Sequence, residues 1–187
     1  MRLHLVRHPR VDIASGLCYG SSDVAAVDDC GLREQLLAAL PRHAPLFSSP
    51  LKRCADLAQM LAPELGSISP VYDERLAEMH FGDWEMRAWD DIPRDEVDAW
   101  AADLLHHCPG GGESVLQVAR RVRAFRDDVR KLDAADVVVI CHAGTIRLLC
   151  AGERGGTIEE SALYAAQHAH AIAYGEVVVL ECAPTGA

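Results

Sequence analysis

Residues 136–144 read DVVVICHAG. Val137, Val138, Val139, Ile140 and Cys141 follow one another with no polar alternation. A strand with one wet face would alternate with a period of two, so this one asks to be covered on both faces, as strands of parallel sheets are. The first polar side chain after the run is His142, and AGTIRLLCAG, a short helix, begins immediately behind it. A strand that hands over to a helix through a histidine places that histidine at the carboxyl edge of the sheet, where open α/β folds bind ligands.

The rest of the chain extends this pattern. At the N-terminus Leu3, Leu5 and Val6, with His4 between them, read as a strand that Pro9 must end. Arg7 and His8 then project from its carboxyl end; on those ten residues alone they would pass for a basic surface turn. After a loop containing Gly and Ser, GLREQLLAALP is a helix ended by Pro41, and APLFSSP is a short strand closed by Pro50. LKRCADLAQMLAPEL spaces Leu51, Leu57, Met60, Leu61 and Leu65 as a helix does, and Arg53 opens it. A brief extended segment surrounds Val71, with Glu78 just beyond. An irregular stretch turns helical near Pro93. From Glu113 to Leu132 the residues Val115, Val118, Val122, Phe125, Val129 and Leu132 form an apolar stripe. The chain is read to close on two strands, AHAIAY and VVVLEC, around a tight turn at Gly175-Glu176. Alternation of this kind predicts an α/β fold, a three-layer α/β/α sandwich around a mostly parallel central sheet.

The 187 residues contain no internal repeat or obvious linker, so a single domain over 1–187 is expected. A net charge of −10 argues against a nucleic-acid partner and against anionic membranes, and no apolar run reaches the ~20 residues of a membrane span. Seven cysteines without a Cys-x-x-Cys point to reduced thiols and a cytoplasmic location. Such an acidic chain would repel an anionic substrate unless positive charge is concentrated locally. Arg7, His8, Arg53 and His142 offer that concentration, since each sits at a strand's carboxyl end or a helix's amino end. Two guanidiniums, two imidazoles and helix N-terminal amides suit a tetrahedral dianion such as phosphate. One carboxylate, Glu78, belongs in such a pocket if it moves a proton to a leaving alkoxide.

Val-Arg-His near the start, SSPLKRC, LAEMHFGDWE and CHAGTIR resemble, in this order, the motifs of the histidine phosphatase superfamily. The resemblance runs from about Arg2 to Cys150. It implies a phosphoglycerate mutase-like fold and a phosphoric monoester hydrolase. It also implies that His8 is the nucleophile and forms a phosphohistidine, that Arg7, Arg53 and His142 hold phosphoryl oxygens, and that Glu78 serves as general acid and then base. No cofactor and no metal are implied. CYGSSDV and the short FGDWEMRAWDDIP segment are most similar to the α-ribazole phosphatase branch, which acts late in cobalamin nucleotide-loop synthesis. The substrate expected is then a small phosphorylated molecule, α-ribazole 5′-phosphate. The alternatives are a broad-specificity phosphatase, a mutase-like enzyme, or a non-catalytic binder of phosphorylated ligands. The oligomeric state is left open, a dimer included.

Two departures from the family pattern concern the rim. Pro9 stands where glycine is usual, and Ala14 where a polar residue is expected. Ser15 is the candidate to fill that space, and Tyr19, Gly20, Ser21, Ser22 and Ala143 are further rim candidates. Other clusters have plainer readings. His106-His107-Cys108 and His168/His170 lack metal-ligand spacing and read as solvated loop and strand residues. Cys141 and His142 are neighbours on a strand and so point to opposite faces, which leaves Cys141 as a core residue. Gly110 to Gly112 lack the P-loop lysine and read as a turn into a capped helix, although GGES resembles a segment at the family's substrate rim. Trp84, Trp89 and Trp100 read as packing residues, with Trp84 expected nearest the site.

Overall fold

The computed structural model describes residues 1–168 and 171–182. Its elements alternate: β1 (Arg2–Arg7), α1 (Cys30–Ala39), β2 (Leu46–Ser48), α2 (Lys52–Leu65), β3 (Val71–Tyr72), α3 (Arg94–Ala102), α4 (Val115–Val129), β4 (Asp136–Cys141), α5 (Ala143–Gly152), α6 (Ile158–Gln167) and β5 (Val177–Glu181). The five strands form one sheet in the order β3-β2-β4-β1-β5. Only β5 runs antiparallel, against β1.

Strand β4 explains the layering. Val137, Val139 and Cys141 pack on one side with Val118, Val122 and Phe125 of α4 and Ile146 and Leu149 of α5. Val138 and Ile140 pack on the other side with Leu36 and Leu40 at α1 and Leu57, Leu61 and Leu65 of α2. An unbroken apolar run therefore buries a strand between two helical layers. Strand β1 shares the arrangement, with Leu3 and Leu5 on the first side and Val6 on the second.

Local chemistry sets the helix ends. Helix α4 starts in a capping box, in which Ser114 Oγ accepts the Gln117 N–H while Gln117 Oε1 accepts the Ser114 N–H. Helix α2 stops at Gly66, whose φ of 70° lies in the left-handed region that glycine enters without penalty.

Two elements depart from the sequence reading. Helix α6 was absent from it, although its start carries a capping box between Thr157 and Glu160. Of the expected C-terminal hairpin only β5 is a strand among the described residues; residues 171–173 are not extended partners, residues 169 and 170 of that expected strand lie outside the described residues, and β5 pairs with β1. Tyr174 and Gly175 form the turn, and Gly175 N–H donates to the Arg7 carbonyl, tying the turn to the end of β1.

Candidate active site

The ends of β1 and β4 lie side by side, with Arg7 in register with Cys141, and His8 N–H donates to the Cys141 carbonyl at 3.0 Å. His8 and His142 therefore meet, their ring centroids 5.1 Å apart. His142 is the N-cap of α5, and Arg53 lies in the first turn of α2, behind β2. The sheet topology thus assembles Arg7, His8, Arg53 and His142 from three separate stretches of chain at one edge.

All but Arg7 are deeply buried, with His8 2%, Arg53 0% and His142 0% exposed. Burial pushes the His8 imidazole down to about 3, with Arg53 and Arg7 acting in the same direction. His8 is thus neutral at physiological pH. Its Nδ1 lies 2.8 Å from the Pro9 carbonyl, an acceptor only, so Nδ1 carries the proton and Nε2 keeps its lone pair. The residue that replaces the usual glycine loses an N–H but supplies this carbonyl through a backbone of fixed φ.

Arg53 is held by loop carbonyls, Nη1 donating to Ser22 O at 2.7 Å and Nη2 to Gly20 O at 2.5 Å. Its Nε donates to His142 Nδ1 at 3.3 Å, so His142 Nε2 carries the proton and donates to Ser49 Oγ at 2.8 Å. Burial, then Arg53 and His8, keep the His142 ring well below its ordinary pKa. Arg7 lies 3.8 Å over the Tyr174 ring and donates through Nη1 to the Ile172 carbonyl. Tyr174 also stands against His8, and its hydroxyl meets that of Tyr19 at 3.1 Å, an aromatic pair against His8 and Arg53. Burial and Tyr174 raise the Tyr19 hydroxyl to about 12, so it stays protonated.

Glu78 lies at the mouth of this pocket, where its carboxylate accepts Met79 N–H at 3.1 Å and Gly144 N–H, in the first turn of α5, at 3.3 Å. A Cβ on Gly144 would come within 2.5 Å of Glu78 Oε1, so any larger residue there would push the carboxylate from its present place at the helix end. Behind it, Arg121 of α4 donates to the carbonyls of Arg75, Ala77 and Glu78 at 2.9, 2.7 and 3.2 Å. Glu113 receives the same guanidinium through Nε and Nη2, both at 2.9 Å. Burial pushes the Glu113 carboxyl up, but Arg121 outweighs it and holds the group ionised below its ordinary value.

The rim differs from the reading in its details. Ser21 and Ser22 do not face the pocket freely; both hydroxyls and both N–H groups bind Glu85, which also accepts Phe81 N–H. Gly20 has no room for a Cβ, which would lie 2.5 Å from Glu85 Oε1 and from Met79 O. Glu85 therefore fixes the loop whose carbonyls hold Arg53. Ser15 is exposed in a turn and makes no hydrogen bond to the pocket among the described residues, and Ala143 opens α5 beside His142. Trp84 is 1% exposed and packs with Cys18 and Ile92, its Nε1 donating to Glu96; Trp100, and not Trp84, lines the cavity next to Glu78. The run Gly110 to Gly112 is packed as a turn. Gly110 and Gly112 lie against the backbone of His80 to Trp84, and Glu113 N–H donates to the His80 carbonyl at 2.7 Å. Cys141 packs in the core, its thiol pushed up by burial. His106 pairs with Asp103 on the surface, and His168 stacks on Tyr164; His170 lies outside the described residues.

Tyr174, Glu85, Arg121, Glu113 and Ser49 were not singled out in the sequence. Three of them carried a signal there, Ser49 in SSPLKRC, Glu85 as the last residue of LAEMHFGDWE and Glu113 in GGES; Tyr174 and Arg121 carried none.

The class this edge of the sheet defines is an α/β enzyme acting on phosphate esters. Residues 3–185 match the model of the histidine phosphatase superfamily (branch 1), and the chain belongs to that superfamily; it is a phosphatase. A Salmonella typhimurium relative named adenosylcobalamin/α-ribazole phosphatase is 31% identical over 162 residues, covering 81% of this chain and 78% of its own. A Mycobacterium tuberculosis relative named glucosyl-3-phosphoglycerate phosphatase is 32% identical over 166 residues, covering 80% and 74%. The crystal structure of the α-ribazole phosphatase from Shigella flexneri superimposes with a TM-score of 0.79 at 25% identity, over 97% of this chain and 90% of that one.

Proposed function

We propose that the chain hydrolyses a small phosphomonoester through a phosphohistidine on His8, without a metal, and that α-ribazole 5′-phosphate is the substrate. The observation that carries the mechanism is the fixed tautomer of His8: a buried, neutral ring whose Nδ1 proton is held by Pro9 O and whose Nε2 lone pair is free. Nε2 attacks phosphorus and the ester P–O bond breaks. Glu78, protonated in the complex, gives its proton to the departing alkoxide. Water then attacks phosphorus, Glu78 takes a proton from it, the P–N bond breaks, and His8 returns to its neutral form. Arg7 and Arg53 meet the phosphoryl charge, each with N–H groups beyond those already bound to carbonyls. His142 Nδ1 accepts from Arg53 in this tautomer, so His142 donates to a phosphoryl oxygen only when Nδ1 carries a proton and the Arg53 contact is given up. The relatives named for α-ribazole and the apolar surroundings of Glu78 support the choice of substrate.

A phosphorus–nitrogen bond is cleaved by acid and survives alkali. Rapid quench with labelled substrate should trap protein-bound phosphate with that stability, and His8→Ala should abolish both label and turnover. Activity should survive EDTA, and vanadate should inhibit. Label on a serine or aspartate, or turnover that needs a restored metal, would overturn the reading.

A further inference from the structure

Beyond Glu78 lies a groove of about 310 Å³ that the phosphate pocket does not use. Its walls are Met79, Phe81, Trp100, Leu104, Val115 and Leu148, apolar side chains drawn from four separate segments. Glu78 and Gly144 belong to both the groove and the catalytic edge, so an alcohol protonated by Glu78 leads directly into it. Apart from Glu78, the only charged residue lining it among the described residues is Arg147, on the second turn of α5. Arg147 is half-buried and makes no hydrogen bond or ion pair with any described residue. Most other arginines near the site are fixed by carbonyls or carboxylates, as Arg7, Arg53 and Arg121 are. A guanidinium left unpaired beside aromatic and aliphatic walls is matched to a flat ring, whose face it can cover and whose ring nitrogen it can reach as a donor.

We propose that this groove seats the alcohol half of the substrate and selects a flat apolar ring system, with Arg147 as the specificity-determining residue. The inference rests on the phosphatase reading above and names the substrate class for the same site. The volume is at the lower end of small-molecule sites and fits one bicycle rather than a polymer.

Two substrates share one leaving alkoxide and differ only in the ring: a dimethylbenzimidazole riboside 5′-phosphate and ribose 5-phosphate. Burying the ring should raise kcat/KM by about 30-fold or more over ribose 5-phosphate. Arg147→Met should cut that ratio about fivefold or more. Ala166→Leu, which adds bulk to the groove from the half-exposed face of α6, should bring it close to one while circular dichroism and vanadate inhibition report an intact fold and phosphate pocket. A wild-type ratio near one, with ribose 5-phosphate still hydrolysed through the His8 label, would overturn this inference and leave the phosphatase reading standing. A preference for 3-phosphoglycerate or phosphoserine that Arg147→Met abolishes would likewise overturn it, by making Arg147 a reader of carboxylates. Failure of every ester together with absence of label would instead remove the catalytic reading itself.

Discussion

The phosphate pocket and the groove beyond Glu78 share a wall but are built differently. In the pocket, buried polar groups are nearly all satisfied within the protein: His8 by Pro9, Arg53 by Gly20, Ser22 and His142, and His142 by Ser49. In the groove, apolar side chains surround one guanidinium that has no partner among the described residues. A pocket with preset hydrogen bonds reads a single chemical group, and its cost in buried polarity demands that each contact be fixed in advance. A groove of side chains reads shape and can change from one relative to another while the chemistry stays. Relatives named for unlike substrates share the family of this chain.

Glu78 sits on the seam, so substituting it tests the division most strongly. Glu78→Gln keeps the size but cannot protonate the alkoxide, and removing a general acid costs ~10²–10⁴ in rate. The loss should be near the upper end for the riboside ester and much smaller for p-nitrophenyl phosphate, whose leaving group needs little protonation. Equal losses for both esters would show that Glu78 serves binding or folding, and that the seam is not where the proton moves.

The pocket should also be the acid-sensitive part of the molecule. His8 titrates near 6.5 in the unfolded chain and is lowered to about 3 in the folded one. Between these values the unfolded chain binds a proton that the folded chain refuses, so stability is lost as pH falls through this window and is restored as it rises above about 6.5. His142 shifts in the same direction, chiefly by burial. Each such group contributes about 1.4 kcal/mol per pH unit inside the window. Urea unfolding should therefore weaken by a few kcal/mol between pH 7 and pH 4. Carboxylates held low by arginine, such as Asp73, add to the loss at the acid end. The informative measurement is the slope of wild type minus that of His8→Gln. A difference near one proton supports the buried neutral ring, and equal slopes would contradict it.

The same contrast explains what could be read from the sequence. His8, Arg7, Arg53 and His142 each follow a strand or open a helix, so an apolar run beside them locates them on the sheet edge without any knowledge of packing. Two-sided burial of β4 gave the layers for the same reason. The groove left no such trace. Phe81, Trp100, Leu104, Val115 and Leu148 meet only in three dimensions, and each has a sufficient local explanation as a packing residue. Trp84 misled because a tryptophan beside a catalytic motif suggests a wall, whereas its N–H is satisfied by Glu96 in a small separate core. Helix α6 was missed although Thr157 and Glu160 mark its start, since its alanines and exposed Leu163 give little apolar contrast. The C-terminal turn misled by symmetry: two apolar segments around Gly175 suggest a hairpin, but β1 offers the free edge that β5 takes.

Arg121 gives the finest test, because it touches neither the phosphate nor the groove's occupant. Its guanidinium gathers the carbonyls of Arg75, Ala77 and Glu78 while Glu113 holds it from the other side, so it sets where the Glu78 backbone lies. Arg121→Lys keeps the charge but loses the planar fork that meets several acceptors at once. The expected result is a fall of about tenfold in kcat for the riboside ester, some 1.4 kcal/mol of barrier, with KM and vanadate inhibition near wild type. For p-nitrophenyl phosphate the fall should be smaller, since the misplaced group is the proton donor. Combined with Glu78→Gln the two effects should not add, because a displaced amide has no proton to deliver. A loss that is uniform across leaving groups, or additive with Glu78→Gln, would mean that Arg121 supports the fold at large and that the donor is positioned from the Gly144 side alone.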